Sequence, residues 1–139
     1  MITNEDLIRN AAKVLKPRHI AGGRLIGNVG ATLVTDKGYA YSGVCIDTGS
    51  GTGFCAEHSA IAAMVTSGEY RIAKIVAVWR DERDGKLYVL PPCGRCREFI
   101  RQIDEGNLET EVVLGNDKVL KLKELLPYHE WPEPKTDGN

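Results

Sequence analysis

The strongest constraint on the fold is an apolar segment in the middle of the chain. Residues 72–79 are rich in β-branched side chains, and Ile75 to Trp79 is an unbroken apolar run. Such a run is typical of a strand that is buried on both faces, because a half-exposed strand alternates apolar with polar residues. The sequence therefore predicts a sheet with helices packed on each side.

The flanking segments supply those helices and further strands. The spacing of apolar residues predicts helices at 4–16, 55–67, 94–103 and 122–126. Strands are predicted at 29–35, 39–46, 111–114 and 118–122, with a short extension at 87–90. We therefore expect one α/β domain over residues 1–139, with a loose polar tail at 132–139. Its predicted architecture is a three-layer α/β/α sandwich around a mixed sheet of about five strands.

Composition and charge exclude several classes of protein. Eighteen basic and nineteen acidic residues give a net charge of −1, and only 6% of the residues are aromatic. A general nucleic-acid binder needs a basic surface, and a base-stacking surface needs more aromatic rings. No apolar run is long enough to span a bilayer, and polar residues directly follow the start of the chain. We expect a soluble, cytoplasmic protein without nucleic-acid or membrane partners, acting on a small molecule or a protein.

Three of the four cysteines stand at the starts of predicted helices. Cys55 begins one helix, while Cys93 and Cys96 begin the next. In a cytosolic chain, cysteines stay reduced and are more often metal ligands or catalytic groups than disulfides. The positive end of a helix dipole also favours thiolates, the form that binds metal. Three thiolates around a tetrahedral zinc ion leave one position open for water, which is the mark of a catalytic site.

Glu57 is the candidate proton carrier of such a site. In the first turn of a helix it points to a different side from Cys55, so it flanks the metal without ligating it. A carboxylate there can take a proton from water and deliver it to a leaving amine. The alternative is a carboxylate that only stabilises the helix dipole.

Two further alternatives concern neighbouring residues. A closed structural zinc site would use all four cysteines, with Cys45 as the fourth ligand. The glycine-rich segment 49–53 lacks the ending of a phosphate-binding loop, and Phe54 stands where a dinucleotide-binding fingerprint has its third glycine. We interpret that segment as a flexible loop that lets the backbone approach a ligand.

Two motifs carry a resemblance to a known family. Cys55-Ala56-Glu57 together with Pro92-Cys93-Gly94-Arg95-Cys96-Arg97 resembles the cytidine deaminases in their small three-cysteine form. The resemblance implies a zinc-dependent hydrolytic deaminase that converts cytidine or deoxycytidine to uridine or deoxyuridine plus ammonia. Cys55, Cys93 and Cys96 would hold zinc, and Glu57 would carry protons. It also implies a homotetramer with sites near the subunit interfaces.

The resemblance assigns further roles close to the metal. The backbone N–H of Ala56 would bind the carbonyl of the base, and Pro92 would lie beside the departing ammonia. Arg97 matches the family as a cation that offsets the thiolate charge. His58 stands where the family usually has arginine, and we hypothesise that it leaves the thiolates more electron-rich and zinc a weaker Lewis acid.

The chain departs from the family where the substrate's sugar would bind. The family usually has asparagine and, two residues later, glutamate; here these positions are Cys45 and Asp47. Asp47 still accepts a hydrogen bond from a hydroxyl, whereas Cys45 replaces an amide poorly. Gly27 stands where the family usually has phenylalanine. These departures point to a substrate-binding group of Ala56, Asp47, Cys45 and Pro92 with altered specificity.

Two other functions stay open at this point. Blasticidin S deaminases are also similar, in Pro92–Arg97 and in Glu124-Leu125-Leu126-Pro127, and they act on a related aminated heterocycle. A non-catalytic zinc protein with the same fold is the alternative of a different class. The aromatic residues Tyr128 and Trp131 lie where the family's C-terminal end often supplies a ring over a neighbouring subunit's base; a core-capping role is the alternative.

Overall fold

A computed structural model describes residues 2–130 and 132–135 of the chain. Trp131 and the end of the predicted tail, 136–139, lie outside the described residues. The helices are α1 (Asn4–Lys13), α2 (Ala56–Thr66), α3 (Gly94–Ile103) and α4 (Leu122–Leu125), with a 3-10 helix at Glu105–Glu109. The strands are β1 (Arg18–His19), β2 (Leu25–Thr35), β3 (Ala40–Ile46), β4 (Ile72–Arg80), β5 (Leu87–Leu90), β6 (Glu111–Val113) and β7 (Val119–Lys121).

The sheet is built around the antiparallel pair β2 and β4. β3 pairs with β2 as a hairpin, and β1 adds a short antiparallel partner to the start of β2. β4 pairs with β6 in parallel at Lys74–Ile75 and with β5 in antiparallel orientation at Ala77–Arg80. β7 pairs with β6. The sheet is therefore mixed, as predicted.

The predicted number of about five strands is wrong, because residues 2–130 alone form a sheet of seven strands. One additional strand, β1, has only two residues, both exposed, so no apolar alternation marks it in the sequence. The other, β5, was predicted only as a short extension, but it pairs with β4 over four residues.

β4 is buried on both faces, as its sequence predicts. Ile75 and Ala77 belong to a core cluster that includes residues of α2, α3 and α4. Val76 and Val78 belong to a second cluster, which includes the buried residues of α1. Helices therefore cover both faces of the sheet, and the predicted three-layer α/β/α arrangement is confirmed.

The first helix ends three residues before the predicted end at residue 16. Thr3 caps its start by accepting a hydrogen bond from the Asp6 backbone N–H. At the other end, the Lys16 N–H donates to the Gly27 carbonyl at 2.9 Å instead of continuing the helix. The chain is thereby drawn onto β2. No helix among the described residues has the length and apolar character that crossing a membrane requires.

Asn107, in the 3-10 helix, connects that helix to the start of β4 and to α3. Its side-chain oxygen accepts the Ile72 N–H at 2.8 Å. Its amide nitrogen donates to the carbonyls of Tyr70 and Ile100. Because Asn107 is fully buried, water cannot replace these bonds if the side chain is removed.

We predict that Asn107→Ala lowers the free energy of unfolding by about 3 kcal/mol, because it leaves the buried Ile72 N–H without an acceptor. Urea denaturation followed by circular dichroism measures the change. The matched control is Asn116→Ala, at an exposed position between β6 and β7, where we expect little change. Equal losses in the two variants would contradict the role given to Asn107.

Candidate metal centre and active site

Three thiols meet where α2 and α3 begin. Cys55 and Cys93 are the residues immediately before the two helices, and Cys96 is the third residue of α3. The Cys93 sulfur lies 3.5 Å from that of Cys55 and 3.4 Å from that of Cys96. All three sulfurs lie within 4.8 Å of one another, and all are free thiols.

This geometry fits a tetrahedral zinc ion. Zinc–sulfur bonds of about 2.3 Å at tetrahedral angles place neighbouring sulfurs about 3.8 Å apart. The observed separations are close to that value, and the three ligands come from the two helix starts predicted to supply them. Three sulfurs leave one corner of the tetrahedron for another ligand, and the cavity described below reaches the ligands Cys55 and Cys93.

Cys45 is not part of this cluster. Its thiol donates to the side-chain oxygen of Asn28 at 2.9 Å. Among residues 2–130 and 132–135, the cluster that could hold a metal consists of the other three cysteines alone. The closed four-cysteine site considered from the sequence is therefore not formed.

Burial opposes ionisation of the thiols. Burial raises the pKa of Cys55, and the hydrogen bond with the neighbouring Cys93 thiol raises it further. Burial also raises the pKa of Cys96, and the nearby Glu57 carboxylate adds to this effect. For Cys93, burial also acts upward, but hydrogen bonds led by the Cys96 backbone N–H outweigh it and lower the pKa. Hydrogen bonds at the start of α3 therefore lower the pKa of Cys93, whereas burial dominates at Cys55 and Cys96.

Glu57 lies next to the sulfurs without joining them. It is the second residue of α2 and only 5% exposed, and it lines the same cavity as Cys55 and Cys93. Burial raises the pKa of its carboxyl group, partly opposed by its own backbone N–H and by the Cys96 thiol. A carboxyl group in this position would flank an ion held by the three sulfurs; its role as a proton carrier stays a prediction.

His58 contacts the cysteine cluster through Cys96. Its Nδ1 lies 3.6 Å from the Cys96 sulfur, and its ring stacks on Phe99 with centroids 4.3 Å apart. Burial lowers the pKa of His58, and the positive charge of Arg95 lowers it further. Both effects favour the neutral imidazole. That His58 makes the thiolates more electron-rich stays a prediction.

Arg97 acts on the backbone rather than on the sulfurs. Its Nε donates to the Pro92 carbonyl at 2.8 Å, and a terminal nitrogen donates to the Leu125 carbonyl at 3.1 Å. These bonds fix the segment that precedes Cys93 against the end of α4. Arg97 thus positions a ligand, in addition to the charge that the sequence assigns to it.

One cavity of about 430 Å³ is lined by two of the predicted metal ligands, by Glu57 and by three of the four predicted substrate-binding residues. Cys55, Cys93 and Glu57 line it, with Ala56 at the start of α2. Cys45 and Asp47, at the end of β3, also line it. Pro91 lines this cavity. Pro92 instead lines a small void, which Glu57 and residues of β4, β5 and β6 also line.

Several lining residues were not singled out from the sequence. They include Asn28, Thr48, Leu90, Pro91 and Arg95. Arg95 lies inside the Pro92–Arg97 motif, so that motif is a usable signal for it. Its guanidinium donates to the Gly53 carbonyl at 3.3 Å and so connects the glycine-rich loop to the start of α3. Asn28 carries no such signal, because it lies within a strand.

Comparison with known proteins agrees with this site. Residues 1–111 match the family model described as the cytidine and deoxycytidylate deaminase zinc-binding region. The chain belongs to this family. A Blasticidin-S deaminase from Bacillus cereus is 40% identical over 77 residues, which are 52% of this chain and 55% of that protein. A cytidine deaminase from Mycobacterium tuberculosis is 34% identical over 82 residues, 58% of this chain and 56% of that protein.

The chain therefore spans little more than half the length of these curated relatives, whereas the likeness to solved structures covers almost the whole chain. Cytidine deaminase from Mycobacterium leprae superposes with a TM-score of 0.73 at 25% identity, covering 91% of this chain and 99% of that one. Cytidine deaminase from Burkholderia pseudomallei superposes with a TM-score of 0.71 at 28% identity, covering 91% and 98%. The resemblance predicted from the two motifs is confirmed for family and fold.

We predict that Cys96→Ser purifies with much less zinc than the parent protein, because a serine hydroxyl does not replace a thiolate ligand. The matched control is Cys45→Ser, which changes another buried cysteine outside the cluster and should keep the parental zinc content. Elemental analysis after gel filtration measures both. Equal loss of zinc in the two variants would support the closed four-cysteine site instead.

Proposed function

We propose that this protein is a zinc-dependent hydrolytic deaminase that converts cytidine or deoxycytidine to uridine or deoxyuridine plus ammonia. The observation that carries the proposal is the meeting of three thiols and a non-ligating, buried glutamate at one cavity. When bound there, zinc supplies a Lewis acid that makes water acidic enough to act as a nucleophile near neutral pH.

Glu57 moves the protons of the proposed reaction. Its carboxylate takes a proton from the attacking water and passes it to the ring nitrogen next to the reacting carbon. The water oxygen forms a bond to the carbon that carries the amine. Glu57 then takes the second proton of that oxygen and delivers it to the amine, the carbon–nitrogen bond breaks, and ammonia leaves as the ring carbonyl forms. Glu57 ends the cycle ionised, as it began.

Two backbone features hold the ring in the proposed complex. The first N–H groups of a helix have no partner within the helix, so the Ala56 N–H is available to a carbonyl oxygen of the base. The Pro91-Pro92 segment, held by Arg97, lies next to Glu57. We propose that ammonia departs beside this segment. Asp47 accepts a hydrogen bond from the rest of the substrate.

A related aminated heterocycle such as blasticidin S is the second candidate substrate. Its support is the 40% identity with a Blasticidin-S deaminase, together with Cys45 and Asp47 in the cavity. A non-catalytic zinc protein has less support, because burial of the Glu57 carboxyl group is costly and zinc binding alone does not need it.

We also propose a cytoplasmic homotetramer. The resemblance to small cytidine deaminases supports the assembly, and exposed apolar and aromatic side chains such as Ile20, Tyr39 and Tyr70 are available for subunit contacts. Light scattering tests this assembly, and a monomer at micromolar concentration would contradict it.

We predict ammonia release from cytidine and deoxycytidine, tested beside cytosine, blasticidin S and guanine. Glu57→Gln should lower the rate by about 10³-fold, because the amide cannot carry the protons. Its zinc content must equal that of the parent, so that loss of activity reports on proton transfer rather than on metal loss.

Release from blasticidin S alone would favour the second candidate. No release from any of the five compounds by the zinc-loaded parent protein would contradict the proposed substrates. Full activity of Glu57→Gln would contradict the role of the carboxylate.

A further inference from the structure

Asn28 enters the cavity because β2 is irregular beside it. Ile26 pairs with Ile46 and Gly30 pairs with Val44. Between these pairs, β2 has three residues, 27–29, whereas β3 has only Cys45. Gly27 makes this irregularity possible. Its φ of +76° is a conformation that other residues rarely adopt, and a Cβ there would lie 2.4 Å from the Lys16 carbonyl oxygen. Irregular pairing of this kind redirects side chains, and here Asn28 lines the cavity.

Cys45 fixes the orientation of the Asn28 amide. The Cys45 thiol is 94% buried, since its exposed fraction is 6%, and it donates to the Asn28 side-chain oxygen at 2.9 Å. With its oxygen held in this way, Asn28 has its amide N–H groups left to donate to a ligand. Asp47, two residues after Cys45, brings a carboxylate acceptor to the same cavity.

We propose that Asn28 is a specificity-determining residue, that Cys45 positions it, and that Asn28 and Asp47 together recognise a hydroxyl-bearing substituent on the heterocycle. A hydroxyl group matches this pair because it accepts a hydrogen bond from the amide and donates one to the carboxylate. A free base offers no group to either residue. The inference rests on the proposed function for the aminated ring and adds to it the class of substituent.

The test compares two probes, cytidine and 1-methylcytosine; the second has a methyl group in place of the ribose and its hydroxyls. Isothermal titration calorimetry measures their affinities for zinc-loaded protein carrying Glu57→Gln, which stops turnover during the titration. In this background we expect cytidine to bind more tightly than 1-methylcytosine. Adding Asn28→Ala should weaken cytidine binding by about tenfold more than it weakens 1-methylcytosine binding, the effect of losing about 1.4 kcal/mol.

Three further variants separate the chemistry of the pair from packing. Asn28→Asp keeps the shape but replaces the donor by a second carboxylate, so the preference for cytidine should be lost. Cys45→Ser keeps a donor to the Asn28 oxygen and should retain the preference. Cys45→Ala removes that donor and should reduce the preference by about threefold, because the amide is then free to turn. Thermal melts establish that each variant folds.

Equal affinities of the two probes for the protein that carries Glu57→Gln alone would overturn the inference. So would an Asn28→Asp variant that keeps the preference for cytidine. Absence of ammonia release by the native protein, with hydroxyl-dependent binding still lost in the Asn28 variants, would remove the deaminase proposal while supporting the role of Asn28.

Discussion

The electrostatic cost of placing three thiols and one carboxyl group together is the constraint on which the site depends. Burial raises the pKa of Cys55, of Cys96 and of Glu57, so these groups do not readily ionise side by side without compensation. Hydrogen bonds from the start of α3 lower the pKa of Cys93 alone. A divalent cation supplies the missing positive charge, and thiolate ligands select zinc among the common ones.

The sheet brings these groups together by holding two helix starts at one position. β4, buried on both faces, gives both helix layers a fixed surface, and α2 and α3 share the same core cluster. Their first residues carry the sulfurs and Glu57. The irregular part of β2 and the end of β3 bring Asn28, Cys45 and Asp47 to the same cavity. The proposed metal chemistry and the proposed substrate recognition therefore depend on different elements of one scaffold.

Much of this scaffold could be predicted from local sequence signals. The apolar run of β4 and the starts of α2 and α3 are marked by short-range signals, so these elements and the Cys93–Cys96 pair could be predicted from them. Cys55 lies 38 positions before Cys93, and its place in the cluster is inferred from the ligand chemistry of zinc rather than from local structure. Features that depend on distant partners could not be predicted in this way. β1 forms because it pairs with β2, and the end of α1 is set by a hydrogen bond from Lys16 to Gly27. Asn28 turns into the cavity because residues 27–29 of β2 lie opposite a single residue of β3, Cys45. Arg97 likewise binds the carbonyl of Leu125, 28 residues away.

The central claim is that three thiolates hold zinc and leave a fourth position open. X-ray absorption at the zinc edge of the purified protein measures the ligand set directly. We predict three sulfur neighbours at about 2.3 Å and one oxygen or nitrogen neighbour at about 2.0 Å. Four sulfur neighbours at about 2.3 Å would show a closed structural site and contradict the account.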